Sequence, residues 1–278
     1  MELQMRTVTV NGLAMFVASL GEGPAVLLLH GFPDSHAVWR KQMHALADAG
    51  YRVIAPDLRG YGRTDAPLAV SAYSIDTLRA DVIALLDALA IDKVVLIGHD
   101  WGAAIAWQVA IHAPGRVHKL VALSVGHPGA FLDAGWPQRL RSLYMVVFQA
   151  RGAAERLLTF GDWFFMRRMT RDSVQIAGWR KDFADRGRLT AALNYYRANL
   201  KLAARRAWPK VRVPVLGVWS SADPALTESQ MRGSSNYVAA PFRYERIDGA
   251  GHWLQLEAPE RVNALLLEFL DDGAATPG

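Results

Sequence analysis

The residues Lys93-Val-Val-Leu-Ile97, followed directly by Gly98-His-Asp-Trp-Gly102, are the most informative part of this 278-residue sequence. Apart from the lysine, the first five form an apolar run typical of a strand buried inside a sheet. The residues Trp101–His112 then predict a helix. The two glycines permit a strained turn between strand and helix, and this turn lifts the side chain of Asp100 beside the N–H groups of the helix N-terminus.

Further strands and helices alternate along most of the chain. Short apolar runs predict seven more strands, at Thr7–Val10, Ala14–Ala18, Ala25–Leu29, Tyr51–Ala55, Val117–Val125, Val213–Trp219 and Arg243–Ile247. Asn11-Gly12 predicts a hairpin turn between the first two of them. Helical spacing of apolar residues predicts helices over Ile75–Ala90 and from Pro259 onward. The alternation is typical of an α/β fold with a mostly parallel sheet, here of eight strands, flanked by helices.

The middle segment, residues 128–208, interrupts this alternation and differs in charge. It contains 15 basic and 6 acidic residues, whereas the rest of the chain has 16 basic and 20 acidic. The net charge of +5 therefore combines about +9 on this segment with about −4 on the rest of the chain. Its patterns predict helices over Gln138–Leu158 and Leu189–Ala207. We predict that 1–127 and 209–278 form the core and that 128–208 is an inserted helical cap over the C-terminal edge of the sheet.

Composition excludes several classes of protein. There is no cysteine, which excludes disulfides, thiolate zinc sites and a cysteine nucleophile. The histidines have no metal-ligand spacing, and Gly21-Glu-Gly23 lacks the third glycine of a dinucleotide site, so we expect neither a metal nor a cofactor. The sequence pI of about 9.6 is compatible with nucleic-acid binding, but no nucleic-acid motif is present. Without a signal peptide or a long apolar run, we expect a cytoplasmic protein with no membrane partner.

The turn around Asp100 resembles the nucleophile elbow of the α/β-hydrolase superfamily, and the similarity extends over essentially the whole chain. The central residue of the elbow is aspartate rather than serine. A carboxylate suits displacement at an sp³ carbon, which gives an alkyl-enzyme ester, whereas a serine hydroxyl suits acyl transfer. The residue therefore argues against an esterase, a lipase or a peptidase.

Hydrolysis of such an ester needs a base to activate water. His252, in Gly249-Ala-Gly-His-Trp253, follows a predicted strand and is the candidate base. Asp223 follows another strand directly and is the candidate carboxylate that orients the histidine. The order Asp100, Asp223, His252 matches the nucleophile–acid–histidine order of this fold. Asp133 and Asp248 are alternative acids, but neither follows a strand in the matching place.

Within the superfamily, the elbow and the loop His30-Gly-Phe-Pro33 resemble those of epoxide hydrolases. The resemblance implies that the backbone N–H groups of Phe32 and Trp101 form an oxyanion hole. It also implies that two cap tyrosines, Tyr144 and Tyr196, hold the epoxide oxygen. Tyr195 is adjacent to Tyr196 but points about 100° away on a helix.

The sequence thus predicts an epoxide hydrolase that converts an epoxide and water to a vicinal diol through an ester of Asp100. Phe32, Trp101, Tyr144 and Tyr196 are the expected substrate-binding residues. The alternative is a haloalkane or haloacid dehalogenase with the same Asp-His-Asp triad, although many haloalkane dehalogenases carry Asn or Glu where this chain has Phe32. A non-enzymatic ligand receptor on the same fold is a third possibility.

The expected partners are a small epoxide and water, and the expected assembly is a monomer or a homodimer. A further hypothesis concerns the basic cap, some of whose arginines would favour substrates that carry a carboxylate.

Overall fold

The computed structural model describes residues 2–170, 172–200 and 207–272. They contain an eight-stranded sheet in the order β1-β2-β4-β3-β5-β6-β7-β8. The strands are β1 Gln4–Val10, β2 Leu13–Leu20, β3 Ala25–Leu29, β4 Arg52–Pro56, β5 Val94–His99, β6 Val117–Leu123, β7 Val215–Ser220 and β8 Phe242–Ile247. The predicted α/β class and the eight strands are confirmed, with ends that differ from the predicted ones by about three residues at most.

One edge of the sheet is antiparallel and the rest is parallel. β1 and β2 form the predicted hairpin, in which Asn11 and Gly12 both have positive φ angles, of 49° and 76°. β2 also pairs antiparallel with β4, whereas every later neighbour pair from β4 to β8 is parallel. Parallel strands need crossover connections, so their carboxyl ends lie along the same edge of the sheet.

Helices cover the sheet and fill the middle of the chain. They are α1 Arg40–Asp48, α2 Ile75–Ala88, α3 Trp101–His112, α4 Pro128–Asp133, α5 Gly135–Arg141, α6 Tyr144–Val147, α7 Ala153–Met169, α8 Ser173–Asp182, α9 Arg186–Ala198, α10 Glu228–Arg232, α11 Leu254–Glu257 and α12 Pro259–Asp271. The predicted helices α2, α3 and α12 are present at the expected places. Ser74 caps α2, because its hydroxyl accepts a hydrogen bond from Thr77 N.

Helix α3 lies unusually close to the sheet. A Cβ at Gly102 would lie 1.9 Å from Leu29 O in β3, and one at Gly98 would lie 2.4 Å from Gly102 O. Ten of the twelve residues of α3 are buried. The glycines at both ends of the elbow are therefore required for this packing as well as for the turn.

The helices of the middle segment differ from the predicted ones. The continuous helix expected over Gln138–Leu158 is wrong, because the chain forms α5, α6 and the first part of α7 there. Gly152 lies between α6 and α7 and is the N-cap residue of α7, and its φ of +75° is incompatible with a continuous helix. Helix α7 is itself interrupted where Gly161, Asp162 and Trp163 have positive φ angles.

The last predicted helix of the segment also differs. Helix α9 ends at Ala198 rather than at Ala207, and residues 201–206 of that prediction lie outside the described part of the chain. Helices α4 to α9 all fall in the segment for which a cap was predicted. Its boundaries at 128 and 208 stay a prediction.

Several contacts attach α8 and α9 to the core. Tyr195 of α9 donates its hydroxyl to Arg59 O at 2.7 Å. Asn199, just after α9, bonds Ile75 N and Tyr73 O. From α8, Gln175 donates to Asp34 in the loop after β3. These bonds hold the helices of the middle segment against the loops at the carboxyl ends of the parallel strands.

Candidate active site

Asp100 lies at the top of the elbow, between β5 and α3. Its φ of 52° and ψ of −121° are strained for a residue with a side chain. The backbone N–H of Phe32, in the loop after β3, donates to Asp100 Oδ1 at 2.7 Å. This approach requires glycine at position 31, since a Cβ there would lie 2.3 Å from both Asp100 Cβ and Oδ1. The carboxylate is thus held by one oxygen, and its other oxygen, Oδ2, faces His252.

His252 lies between the carboxylates of Asp100 and Asp223. Its Nδ1 is 2.8 Å from Asp223 Oδ2, and its Nε2 is 3.6 Å from Asp100 Oδ2. Two buried side chains hold the backbone of this loop, since Ser124 Oγ donates to His252 O and His99 Nε2 lies 2.9 Å from the same oxygen. Three segments that are far apart in the sequence therefore meet at this histidine.

Asp223 is fixed by both of its carboxylate oxygens. Oδ1 accepts hydrogen bonds from Ala225 N and Leu226 N at 2.8 and 3.0 Å, which is an Asx-type turn. Oδ2 remains for His252. The Asp223 side chain therefore makes both the turn and the contact with His252. The turn orients Oδ2 towards the imidazole.

Asp100 and His252 stabilise each other's charged form. Burial opposes the charged form of His252, but the carboxylates of Asp223 and Asp100 outweigh it and hold the pKa of His252 well above 6.5. Burial likewise opposes ionisation of Asp100, but hydrogen bonding and charge from His252, with the N–H of Phe32, hold the pKa of Asp100 below its ordinary value. The site therefore favours an ionised aspartate beside a cationic imidazole before any substrate binds.

Tyr144 of α6 and Tyr196 of α9 face Asp100 from above. Their ring centroids are 6.0 Å apart, and the rings are nearly perpendicular. Burial and the nearby charge of Asp100 raise the pKa of each tyrosine well above 10, so both hydroxyls stay protonated at neutral pH. The Trp101 side chain is hydrogen-bonded to Tyr196. Tyr195, next to Tyr196 in the sequence, instead points into the core.

Two cavities meet at Asp100, Tyr144 and Tyr196, which line both of them. The first has a volume of about 180 Å³ and extends towards Trp208. The second, of about 310 Å³, also contains Phe32 and His252 in its wall. The other side chains in both walls are mostly apolar, as in typical small-molecule sites. The carboxylate of Asp100 is thus reached from two largely apolar chambers.

Tryptophan and phenylalanine side chains in and near the middle segment have mixed positions. Phe165 lines the larger cavity. Trp107 and Trp179 are fully buried in the core, and Trp136 is 70% exposed. Aromatic composition alone does not distinguish buried from exposed positions, because the burial of each side chain depends on which face of its helix it occupies.

Sequence reasoning missed a buried carboxylate beside the site. Asp34 accepts hydrogen bonds from the indole N–H groups of Trp179 and Trp253, at 2.8 and 2.9 Å, and from the Gln175 amide. It thereby joins α8, the loop after β3 and the residue that follows His252. Burial raises the pKa of Asp34 to about 7, although the three hydrogen bonds oppose the rise. Its only signal in the sequence is its place directly after Pro33.

Sequence reasoning also missed two residues of α5 that hold the loop of Asp223. Gln138 is buried, and its amide accepts from Thr227 N and donates to Ala225 O. Arg141 Nη1 donates to the carbonyl oxygens of Asp223 and Leu226, both at 2.7 Å. No local pattern in the sequence connects α5 with a loop more than eighty residues away.

The described residues offer no metal centre and no membrane span. No group of three or more histidine, aspartate or glutamate side chains among them could hold a metal ion. No helix in the described ranges is long and apolar enough to cross a bilayer.

Comparison with known proteins agrees with this architecture. The sequence model of the α/β-hydrolase fold family matches residues 24–259, and the chain belongs to that family. The AB hydrolase superfamily protein YfhM of Bacillus subtilis is 35% identical, over 95% of this chain and 96% of that protein. Epoxide hydrolase A of Mycobacterium tuberculosis is 36% identical over the same shares of the two chains.

A solved structure extends the likeness to three dimensions. The crystal structure of an epoxide hydrolase from Vigna radiata superposes with a TM-score of 0.86 at 32% identity, covering 98% of this chain and 99% of that chain. The resemblance to epoxide hydrolases predicted from the sequence is therefore confirmed.

Proposed function

We propose that this protein is an epoxide hydrolase, which converts an epoxide and water to a vicinal diol without a cofactor. The observation that carries the proposal is that one apolar site combines the carboxylate of Asp100 with two protonated tyrosines, Tyr144 and Tyr196. Relatives named as epoxide hydrolases that match almost the whole chain support it. The dehalogenase alternative is not favoured, because a halide leaves as an anion and does not need two hydroxyl donors.

In the first step, Asp100 attacks an epoxide carbon. Oδ1 is held by the N–H of Phe32, so Oδ2 is the free nucleophilic oxygen. As the Oδ2–C bond forms, the C–O bond of the epoxide breaks, and its electron pair moves to the oxygen. Tyr144 or Tyr196 gives that oxygen a proton, which yields a neutral hydroxyalkyl ester and a tyrosinate. General acid catalysis of this kind typically raises the rate of the step by about 10²–10⁴-fold.

In the second step, His252 activates water. Esterification removes the negative charge of Asp100, which contributes to the raised pKa of His252 in the free protein. The pKa of the imidazole therefore falls on ester formation, so the imidazolium releases its proton to solvent, and the neutral His252 then accepts a proton from water. The hydroxide adds to the ester carbonyl, and the resulting negative charge on Oδ1 is stabilised by the N–H groups of Phe32 and Trp101.

Collapse of this intermediate completes the cycle. The bond between Cγ of Asp100 and Oδ2 breaks, so Oδ2 leaves with the substrate as an alkoxide, which the imidazolium of His252 protonates. The carboxylic acid left at Asp100 then returns its proton to His252, while the tyrosinate recovers its proton from solvent. Asp223 keeps the imidazole oriented and stabilises its cationic form throughout. We propose 128–208 as the cap that encloses these steps. The cytoplasmic location and the monomeric or dimeric state stay predictions from the sequence.

One assay distinguishes an epoxide hydrolase from a dehalogenase and from a non-enzymatic receptor. Purified protein is incubated with styrene oxide and, separately, with a panel of chloroalkanes, and diol and halide are measured. We expect diol formation that is abolished in Asp100→Ala, without halide release. Halide release without diol would support a dehalogenase, and ligand binding without any turnover would support a receptor.

A single-turnover experiment in ¹⁸O-water tests the ester. In the single turnover we expect the label in Asp100 and not in the diol. Under multiple-turnover conditions the labelled oxygen of Asp100 should then pass into the diol. Label in the diol of the first turnover would mean that water attacks the epoxide directly.

A further inference from the structure

Large apolar side chains are concentrated on the surface of α5, α6 and α7. Among the described residues, fourteen large apolar side chains are exposed, and nine of them lie between Trp136 and Phe165. We call these nine side chains the α5–α7 face. Isolated apolar side chains are ordinary on a protein surface, but a concentration of this size indicates a site that contacts something apolar.

The larger cavity opens on this face. Val147 of α6 and Leu157 and Phe165 of α7 line the cavity that also contains Asp100 and His252 in its wall. The same three side chains are 42–45% exposed, so they lie where the cavity reaches the surface. The carboxylate of Asp100 is therefore approached through an apolar mouth between two helices.

Leu143 and Phe160 continue the apolar surface away from this mouth. Val147 N donates to Leu143 O, which places Leu143 one helical turn before Val147. Phe160 follows Leu157 by three residues in α7 and lies about one turn beyond it. Both side chains are exposed, and neither lines the two cavities at Asp100. Their exposure is therefore not explained by the substrate site.

Arginines accompany these apolar side chains. Residues 135–168 contain six arginines and two acidic residues, a net charge of +4. All six arginines are exposed. The acidic residues, Glu155 and Asp162, are already paired with arginines. The surface that carries the α5–α7 face therefore has an excess of positive charge.

Two of the arginines lie beside exposed rings of the face. The guanidinium carbon of Arg139 is 5.9 Å from the ring centre of Trp136, and that of Arg168 is 5.6 Å from the ring centre of Phe164. Aromatic rings next to arginines are typical of protein surfaces that lie in the interface of a bilayer. The rings and the arginine stems enter the boundary of the acyl chains, while the guanidinium groups remain at the level of the lipid phosphates.

A second copy of the chain is a poorer partner for this surface. In a two-fold symmetric dimer the same patch faces itself, so the arginines of one copy would lie opposite those of the other. Like charges brought together in this way oppose association. The headgroups of anionic lipids carry the opposite charge, and their acyl chains match the apolar side chains. Charge complementarity therefore favours a lipid surface.

We propose that the α5–α7 face binds peripherally to bilayers that contain anionic lipids, with the mouth of the larger cavity turned towards the lipid. The expectation of no membrane partner rested on spanning segments and targeting signals, and a peripheral contact requires neither. The contact itself does not depend on the proposed reaction. A consequence that rests on the proposed function is that epoxides dissolved in the lipid reach Asp100 through an apolar mouth without entering water.

Sedimentation of the full chain with vesicles tests the contact. Vesicles of phosphatidylcholine that contain about one-third phosphatidylglycerol are compared with vesicles of phosphatidylcholine alone. We expect a partition coefficient at least about tenfold higher for the anionic vesicles, because each arginine near an anionic surface contributes about fivefold. This preference should decrease as salt is added, because salt screens the attraction. Equal partition to both kinds of vesicle, or binding to neither, would overturn the proposal.

Two double variants locate the contact on the molecule. Arg139→Glu/Arg168→Glu reverses the two charges that lie beside the exposed rings and should lower the partition coefficient at least about tenfold. Arg6→Glu/Arg212→Glu changes the net charge equally at two exposed arginines outside the middle segment, and its effect should be much smaller. If both double variants lower binding by the same factor, the attraction is a general effect of net charge and the proposal is wrong.

Fluorescent labels identify the surface that enters the bilayer. The chain has no cysteine, so Leu143→Cys or Met5→Cys gives a single attachment site for an environment-sensitive label. Met5 is exposed on the edge strand β1 and is the control. With anionic vesicles, the label at position 143 should shift its emission to shorter wavelength, and the label at position 5 should not. A shift at both positions, or at neither, would overturn the proposal.

The oligomeric state decides between a lipid surface and a second copy. The wild type and Leu143→Ser/Phe160→Ser are compared by analytical ultracentrifugation and by vesicle sedimentation. We expect the double variant to keep the oligomeric state of the wild type and to lose its binding to vesicles. A wild-type dimer that the double variant dissociates, without vesicle binding by the wild type, would assign the face to a second copy and overturn the proposal. None of these measurements uses epoxide turnover, so their failure leaves the proposed function intact, and absence of diol formation leaves lipid binding intact.

Discussion

Replacing Asp34 by asparagine should remove a large pH dependence of the protein's stability. Asp34 is 1% exposed, and its carboxylate accepts hydrogen bonds from Trp179, Trp253 and Gln175. Its two oxygens thereby connect α8 with the loops after β3 and β8. No ion pair of Asp34 occurs among the described residues, and a buried carboxylate without one is strongly penalised when it ionises. Asparagine has nearly the same shape and does not ionise.

The magnitude follows from the pKa of the buried group. Burial is the largest influence and raises the pKa of Asp34 from 3.8 to about 7 against the opposing hydrogen bonds. The folded protein therefore binds this proton more tightly than the unfolded chain does. The stability contributed by protonated Asp34 is complete below about pH 4 and is lost as the pH rises through about 7. Since one pKa unit corresponds to about 1.4 kcal/mol, the full loss approaches about 4 kcal/mol.

Urea denaturation of the wild type and Asp34→Asn at pH 5 and pH 8 measures this effect. The other titrating groups are common to both proteins, so the difference in their free energies of unfolding isolates Asp34. We expect this difference to shift by about 3 kcal/mol in favour of the variant between the two pH values. Asp48→Asn, an exposed carboxylate at the end of α1, is the control and should show no such shift. A difference that is the same at both pH values would refute the reasoning.

Three further predictions concern the chemistry of the site. The double variant Tyr144→Phe/Tyr196→Phe should lose about 10²-fold or more of its kcat for styrene oxide while keeping its circular dichroism spectrum, because no acid remains for the leaving oxygen; full activity would exclude these donors. His252→Gln should accumulate the ester, seen as substrate mass added to the tryptic peptide of Asp100, and its absence would count against His252 as the base. Gly31→Ala should abolish diol formation, since its Cβ would overlap the Asp100 carboxylate, and a turnover near that of the wild type would contradict the predicted clash.

Matched substitutions outside the site serve as controls. Tyr51→Phe removes a hydroxyl that bonds Asp271 at 3.4 Å, far from the cavities, and should leave kcat unchanged. His44→Gln replaces an exposed histidine of α1 and should not trap an ester. Gly178→Ala places a Cβ in open space within α8, where it meets nothing within 4 Å. It should raise the free energy of unfolding by up to about 1 kcal/mol, because alanine favours a helix over glycine.

The sequence by itself determined the sheet and the candidate triad. Buried strands are short apolar runs bounded by turn residues, and Asn11-Gly12 specifies a hairpin through local backbone preferences, so these features can be predicted from neighbouring residues. Asp100, Asp223 and His252 were predicted for a related reason. Each follows a parallel strand, and parallel strands bring their carboxyl ends to one edge of the sheet whatever residues lie between them.

Only the tertiary structure decided the arrangement of the middle segment and its contacts. The breaks near Gly152 and in α7 depend on how each helix packs on the core, and short-range periodicity does not contain that information. The bonds of Asp34 to two indoles, and of Arg141 to the Asp223 loop, join residues that are 219 and 85 positions apart at their widest. Which residues become such partners depends on how whole helices and loops pack against one another. A single sequence gives the residues but does not show which of them will be in contact.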